Sequence, residues 1–290
     1  MLDVLIALLP TTVAGAIIFG WRALLVVSVC VLSSVLAEFV FNLIVKKQQT
    51  VSDLSAAVTG LILGLNIHSE APIWQCVIGS VFAIVVVKCL FGGLGCNFAN
   101  PAATGRIFLF IAFAATIGGG ANPTIVELTT TATPLENLKQ GATEGLPSLL
   151  DMFLGLHGGA IGEVCAAAVI IGYIYLVIRR VIKFETPLIF VLTVFVLSMI
   201  ISNDPTLALY EVLSGGLIFA AVFMATDYVT TPITRSGKMI FALGAGVITV
   251  LIRFYGTYYE GVSFAILLMN ILSPYIEKWT AKKPLGGKVA

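Results

Sequence analysis

Long stretches without charge dominate this chain, and they leave it very few folds. A helix needs about 20 largely apolar residues to cross the hydrocarbon core of a bilayer. Ten segments approach that requirement, near residues 4–20, 24–45, 54–68, 72–91, 102–119, 159–179, 186–202, 211–227, 239–253 and 261–277. Of the 290 residues, 59% are hydrophobic and 11% are charged, whereas a soluble domain carries about 25% charged residues. An all-α polytopic membrane protein of about ten transmembrane helices is the expectation. A disordered chain, a disulfide scaffold and an ordinary soluble enzyme are excluded. Sixteen Lys and Arg against fifteen Asp and Glu leave no basic surface for nucleic acid. Cys30, Cys76, Cys89, Cys96 and Cys165 show no metal-ligand or CxxC spacing and read as small apolar residues. The first segment lacks a basic start and a cleavage site, so it reads as a retained span.

Lys and Arg are enriched in cytoplasmic loops. With the N-terminus inside, thirteen cations fall on inner segments, and only Arg22, Lys139 and Arg253 fall outside. Both termini are therefore expected in the cytoplasm. The polar stretch 120–157 then lies outside, between a first five-helix unit (1–119) and a second (158–277), with a cytoplasmic tail at 278–290. An odd number of spans per unit forces inverted topology if the units are repeats. Gly60-Leu61-Ile62 resembles Gly216-Leu217-Ile218, and Gly79 and Lys88 stand 165 residues before Gly244 and Arg253.

Ionisable groups within spans are costly, about 2.5–3.5 kcal/mol or more at the membrane centre, and so invite a functional reading. Glu38 is the deepest acid, about 12 Å from the Lys46-Lys47 edge, with Asn42 one turn later on the same face. It reads either as a structural acid or as part of an ion path. Asp53 opens the third span, where an N-cap is the plain reading. Asp227 ends the eighth against the helix dipole, to be offset by Arg235 or a bound cation. These three are the candidate ion-path residues; no metal site and no catalytic residue is expected. Glu163 at the start of the sixth span reads as a cap. The Phe91–Ala102 stretch is rich in Gly and breaks at Asn100-Pro101, but it lacks the Gly-Lys-Ser/Thr of a nucleotide loop. Glu127–Leu135, with its run of threonines, reads from composition alone as a plain outer loop.

Those residues also carry a resemblance. Asp53–Gly60, Phe91–Arg106, Gly162-Glu163 and Phe223–Asp227, in this order over essentially the whole chain, resemble the D subunit of the Rnf complex. The related membrane subunit of the sodium-pumping NADH:quinone oxidoreductase shares the pattern. The resemblance implies ten spans in two inverted five-helix repeats, related in fold to urea transporters. It implies a membrane subunit, in a bacterial inner membrane, of a translocase that passes electrons between ferredoxin and NAD⁺ and transports Na⁺ or H⁺. Ferredoxin and NAD⁺ would bind partner subunits. It further implies FMN joined by a phosphoester to Thr133, with Thr131 the nearest alternative and Glu127 where the family motif has Asp, and it allows a noncovalent riboflavin. A passive solute channel of the same scaffold accounts for the spans and the Gly-rich breaks, but gives no reason for the threonine run.

Overall fold

The computed structural model describes residues 1–118, 120–124, 133–139, 146–258 and 260–281. Helices form wherever the apolar runs predict them, because a backbone in hydrocarbon must satisfy its own hydrogen bonds. α1 (Leu2–Phe19) and α2 (Trp21–Ile44) are followed by a 3₁₀ turn (Val51–Asp53), α3 (Ser55–Leu65) and α4 (Ile73–Val81). α4 runs on as a π-helical stretch, Phe82–Cys89. Next come α5 (Pro101–Ala112), α6 (Ala114–Ile117), α7 (Pro134–Lys139), α8 (Leu149–Leu154) and α9 (Ala166–Ile178). The chain closes with α10 (Glu185–Ser202), α11 (Pro205–Leu213), α12 (Leu217–Phe223), α13 (Arg235–Tyr255) and α14 (Val262–Thr280). Among the described residues the only strand-like pairing is a bridge between Ala121 and Gly159.

Each of the ten expected segments contains a helix, but their lengths differ from the expectation. Among the described residues, four helices, α1, α2, α10 and α13, are long and apolar enough to cross a membrane by themselves. A fifth is α11 with α12 if that pair, bent by 55°, is one span. α3, α5 and α9 have 11, 12 and 13 residues, or about 17–20 Å of helix against a hydrocarbon core of about 30 Å. The sixth segment begins late for a visible reason. Residues 158–165 run irregularly along the end of α3, with Ile161 N–H donating to Ile67 O (3.1 Å) and Gly162 N–H to Leu65 O (2.7 Å). The eighth breaks at Ser214–Gly216.

Packing is parallel in the two halves: α2 lies against α3 and α4, and α10 against α12 and α13, while α1 meets α9 and α5 meets α14. Phe190, Phe219 and Phe241 are fully buried between helices, whereas Leu9, Ile17, Leu36, Leu192 and Leu251 are exposed. An apolar exterior over a packed interior is what a lipid-facing bundle requires.

Candidate functional site

Among the described residues, two buried polar assemblies contain the expected site residues. The first is built on α2, α4 and the start of α3. Glu38 and Lys88 are each 2% exposed, and Lys88 Nζ donates to Glu38 Oε1 at 2.9 Å. Thr50 Oγ1 donates to the same carboxylate oxygen at 2.9 Å and accepts from Asn42 Nδ2 at 3.0 Å. Lys88 also donates to Ser55 Oγ, which in turn donates to Asp53 Oδ1. The expected acid and its Asn42 neighbour are thus joined to Asp53 through a lysine. Asp53 does cap α3, accepting the Ser55 N–H at 2.7 Å, but from one residue before the formal cap. Glu38 Oε2 has no partner.

Lys88 and Ser55 also line a crevice whose other wall carries Asn97, Asn100 and Asp227. Asn100 caps α5, its Oδ1 accepting from Ala103 N at 3.1 Å, and Pro101 occupies the first turn, where no N–H is needed. With its amide oriented to satisfy both groups, Asn270 of α14 donates to Thr230 O (3.2 Å) and accepts from Asn100 N–H (3.0 Å). Asp227 is not offset by Arg235, which pairs with Glu185 instead. It accepts from Val229 N at 3.2 Å and Thr230 Oγ1 at 3.1 Å, closing a turn four residues beyond the end of α12. Asp227 therefore shares the crevice with Lys88 without joining the Glu38 network.

The second assembly centres on Arg106 of α5. Its guanidinium donates to Asn66 Oδ1 at 2.7 Å and forms ion pairs with Glu163 and Glu260. Glu163 does not cap α9, whose first residue is Ala166; the strapping of 158–165 along α3 carries its side chain to Arg106 instead. Gly216 makes room for that carboxylate, because a Cβ there would collide with Glu163 Oε1. Arg106, 8% exposed, thus ties the first half of the chain to the second. Two carboxylates face one guanidinium, an arrangement that is stable only while the ion pairs hold.

Thr133 enters at this point. It lines a second crevice with Arg106, Asn66, His68, Gly120 and Glu260. Its Oγ1 accepts from Glu136 N at 3.3 Å, and Leu135 beside it is buried. Lys139 holds the far end of α7 by donating to the carbonyls of Gly256 and Tyr258. Across the crevice the Ala121–Gly159 bridge fixes Gly120 against Thr133. A Cβ on Gly120 would lie 2.7 Å from Thr133 Cγ2 and 2.9 Å from Gly159 N, so only glycine leaves the space open. Glu127 and Thr131 lie outside the described residues.

Sequence reasoning misses Lys88, Arg106, Glu260, His68 and Thr50 as site residues. The charge pattern treats Lys88 and Arg106 as ordinary inner-side cations, and both are buried in ion pairs. The signal was available for both, each a cation inside an expected span. Without Lys88, Arg106 and the likewise buried Arg253, the inner segments keep eleven cations against two outside, so the charge asymmetry stands.

Residues 1–286 match the sequence model of the NQR2, RnfD, RnfE family. The chain is 45% identical over 288 residues to the D subunit of the Na⁺-translocating ferredoxin:NAD⁺ oxidoreductase complex of Acetobacterium woodii, covering 99% of this chain and 90% of that one. It is 37% identical to the D subunit of the proton-translocating ferredoxin:NAD⁺ oxidoreductase complex of Clostridium ljungdahlii, over 99% and 91% of the two chains. To the D subunit of the ion-translocating oxidoreductase complex of Escherichia coli it is 32% identical, over 99% and 93%. With nearly its whole length matched by the family and by these relatives, this all-helical membrane chain belongs to the NQR2, RnfD, RnfE family.

Proposed function

We propose that this chain is the D subunit of an Rnf-type complex, carrying FMN on Thr133 and taking part in electron transfer between ferredoxin and NAD⁺ coupled to Na⁺ or H⁺ transport. The observation that carries the reading is the placement of Thr133 at the mouth of the Arg106 crevice. The lining residues are of the kinds a flavin uses, apolar for the ring and polar for its edges. The Thr133 methyl faces the space kept open by Gly120 while its hydroxyl accepts from Glu136 N at 3.3 Å, and Phe110 and Ile117 line the crevice as apolar residues beside the polar Arg106, Asn66 and His68. When bound, FMN supplies reversible acceptance of electrons, and the protein supplies position and electrostatics. Thr133 is the tether. Lys139 and Leu135 hold its helix against the second half of the bundle, and the Arg106 ion pairs keep the crevice wall charged and ordered.

The same reading assigns the riboflavin that the resemblance allows to the larger Lys88 crevice, mostly apolar with a few amide and hydroxyl groups, as small-molecule sites generally are. Glu38, Asp53 and Asp227 are proposed for the ion path at that end, with Lys88 as the counter-charge a cation would displace. Two inverted five-helix repeats of urea-transporter type are proposed for the fold. Their support is the parallel packing of the two halves and a partial match of two latches, whose cations are equivalent although their acids sit on non-equivalent helices. Arg253, in the last turn of α13, pairs with Glu211 at 3.0 Å and donates to Ser214 O just before α12 (3.1 Å). Lys88 pairs with Glu38 of α2 and donates to Ser55 at the start of α3. In the proposed topology, in a bacterial inner membrane, both termini and the Lys88 crevice are cytoplasmic and the Thr133 crevice is extracytoplasmic.

The test is in-gel flavin fluorescence after denaturing electrophoresis. Thr133→Ala should abolish the band while the chain still inserts. Fluorescence kept in that variant and lost in Thr131→Ala would move the tether. No fluorescent band from the unaltered chain would favour a passive solute channel built on the same scaffold.

A further inference from the structure

Where α9 turns into α10, the bundle carries more cations than acids. Arg179, Arg180 and Lys183 lie in that turn, and Arg235 and Lys238 lie in the first turn of α13, which packs on α10. Arg179 is held by Asp3 at 3.1 Å, and Arg235 engages both oxygens of Glu185. Among the described residues, the side chains of Arg180, Lys183 and Lys238 have neither an ion pair nor a hydrogen bond. Lys183 is close enough to Lys238 to repel it, and Glu185, the acid beside Lys183, is already taken by Arg235. The end of α14 is tied here, with Thr280 Oγ1 2.6 Å from Thr234 Oγ1, but its Glu277 and Lys278 offset each other. Five cations against two acids thus leave three positive charges at one corner of the bundle. Such crowding costs energy unless an anion answers it.

Apolar surface begins directly beside these cations. Phe184, Leu188 and Leu192 are exposed and stand one turn apart on α10, and Met239 and Leu243 do the same on α13. Every residue of these two stripes is bulky, whereas helices that pack against one another in a membrane present small residues. The surface therefore suits acyl chains better than a partner helix. A free anion would answer the charge but leave the stripes unused. We propose that Lys183 and Lys238 bind the phosphate of an anionic phospholipid, with Arg180 beside them and the acyl chains lying along the α10 and α13 stripes. Lysines hold phosphate as point charges, and basic clusters between helices at this side of a membrane attract anionic headgroups. The lipid offsets the surplus charge and covers the seam between α10 and α13. None of this depends on the flavin reading.

The experiment is photo-crosslinking of the whole complex with phosphatidylglycerol that carries a diazirine on one acyl chain, mapped by peptide mass spectrometry. A phosphatidylcholine probe with the same chain is the reference. Phosphatidylglycerol should label residues 184–192 and 239–243 several-fold more than phosphatidylcholine does. In Lys183→Gln/Lys238→Gln that excess should disappear. In Lys46→Gln/Lys47→Gln, which removes two exposed cations from the end of α2, it should remain. Equal labelling by the two probes in the unaltered complex overturns the proposal and needs no variant. Equal loss in both double variants would reduce the effect to general surface charge and overturn it too. Loss of labelling in excess inorganic phosphate, at matched ionic strength, would make a free anion the ligand. Carbodiimide coupling of Lys183 or Lys238 to a carboxylate of another subunit would give the patch to a protein partner instead.

Discussion

Removing the charge of Lys88 tests the Glu38 network most directly. Both side chains are 2% exposed, and Glu38 has one carboxylate oxygen shared by Lys88 and Thr50 and one without a partner. In Lys88→Met the apolar stem is retained and the ammonium is lost, leaving Glu38 with only the Thr50 hydroxyl. Breaking one side of a buried ion pair costs roughly 3–5 kcal/mol, because the surviving charge is buried without compensation. For a chain of this size that is a fall on the order of 10 °C in Tm. In Lys88→Met/Glu38→Gln no charge is left stranded, and most of the loss should return, since replacing a whole buried pair is often close to neutral. The double-mutant cycle is read by thermal unfolding of the purified complex in detergent. A loss below about 1 kcal/mol in Lys88→Met, or a double variant no more stable than the single one, would refute the argument that burial makes this pair interdependent. The stable double variant then isolates transport. Taken into vesicles with the whole complex, it should move less ²²Na⁺, or fewer protons, per NAD⁺ reduced. An unchanged ratio would leave Glu38 a structural acid.

Gly120→Val should sharply reduce covalent flavin even though Thr133 is present, because the added side chain fills the space against Thr133 Cγ2; the fluorescent band per unit of protein measures it. His157, between α8 and α9, is buried, and burial pushes its imidazole below the ordinary value of 6.5. The unfolded chain then takes up a proton that the folded chain refuses, so stability falls as pH drops below about 6.5, and His157→Gln should flatten that slope in unfolding curves between about pH 7.5 and 5.5. A reporter fused after Ala290 should be active only in the cytoplasm and one inserted near Lys139 only outside; the reverse pattern would overturn the proposed placement of the Thr133 crevice.

Membrane class, helix positions and the sign of the charge asymmetry were all legible along the chain, since each depends on composition over some twenty consecutive residues. Glu38 and Asn42 were readable as neighbours because four residues make one helical turn. Helix lengths were not readable. Hydropathy cannot separate a full span from a short helix buried by its neighbours, and the late start of α9 depends on N–H groups at Ile161 and Gly162 finding carbonyls at the end of α3. The partners of the charged groups were equally out of reach. Arg106 meets Glu163 and Glu260 across 57 and 154 residues of sequence, and Lys88 meets Glu38 across 50. A cation seen alone in an apolar run gives no sign of which acid faces it; only packing brings such groups within hydrogen-bonding distance. Thr133 stood out through resemblance alone, because a hydroxyl in a polar loop has no period or spacing to mark it. Its crevice exists because α5, the strap before α9 and the start of α14 converge on one guanidinium, which tertiary structure alone decides.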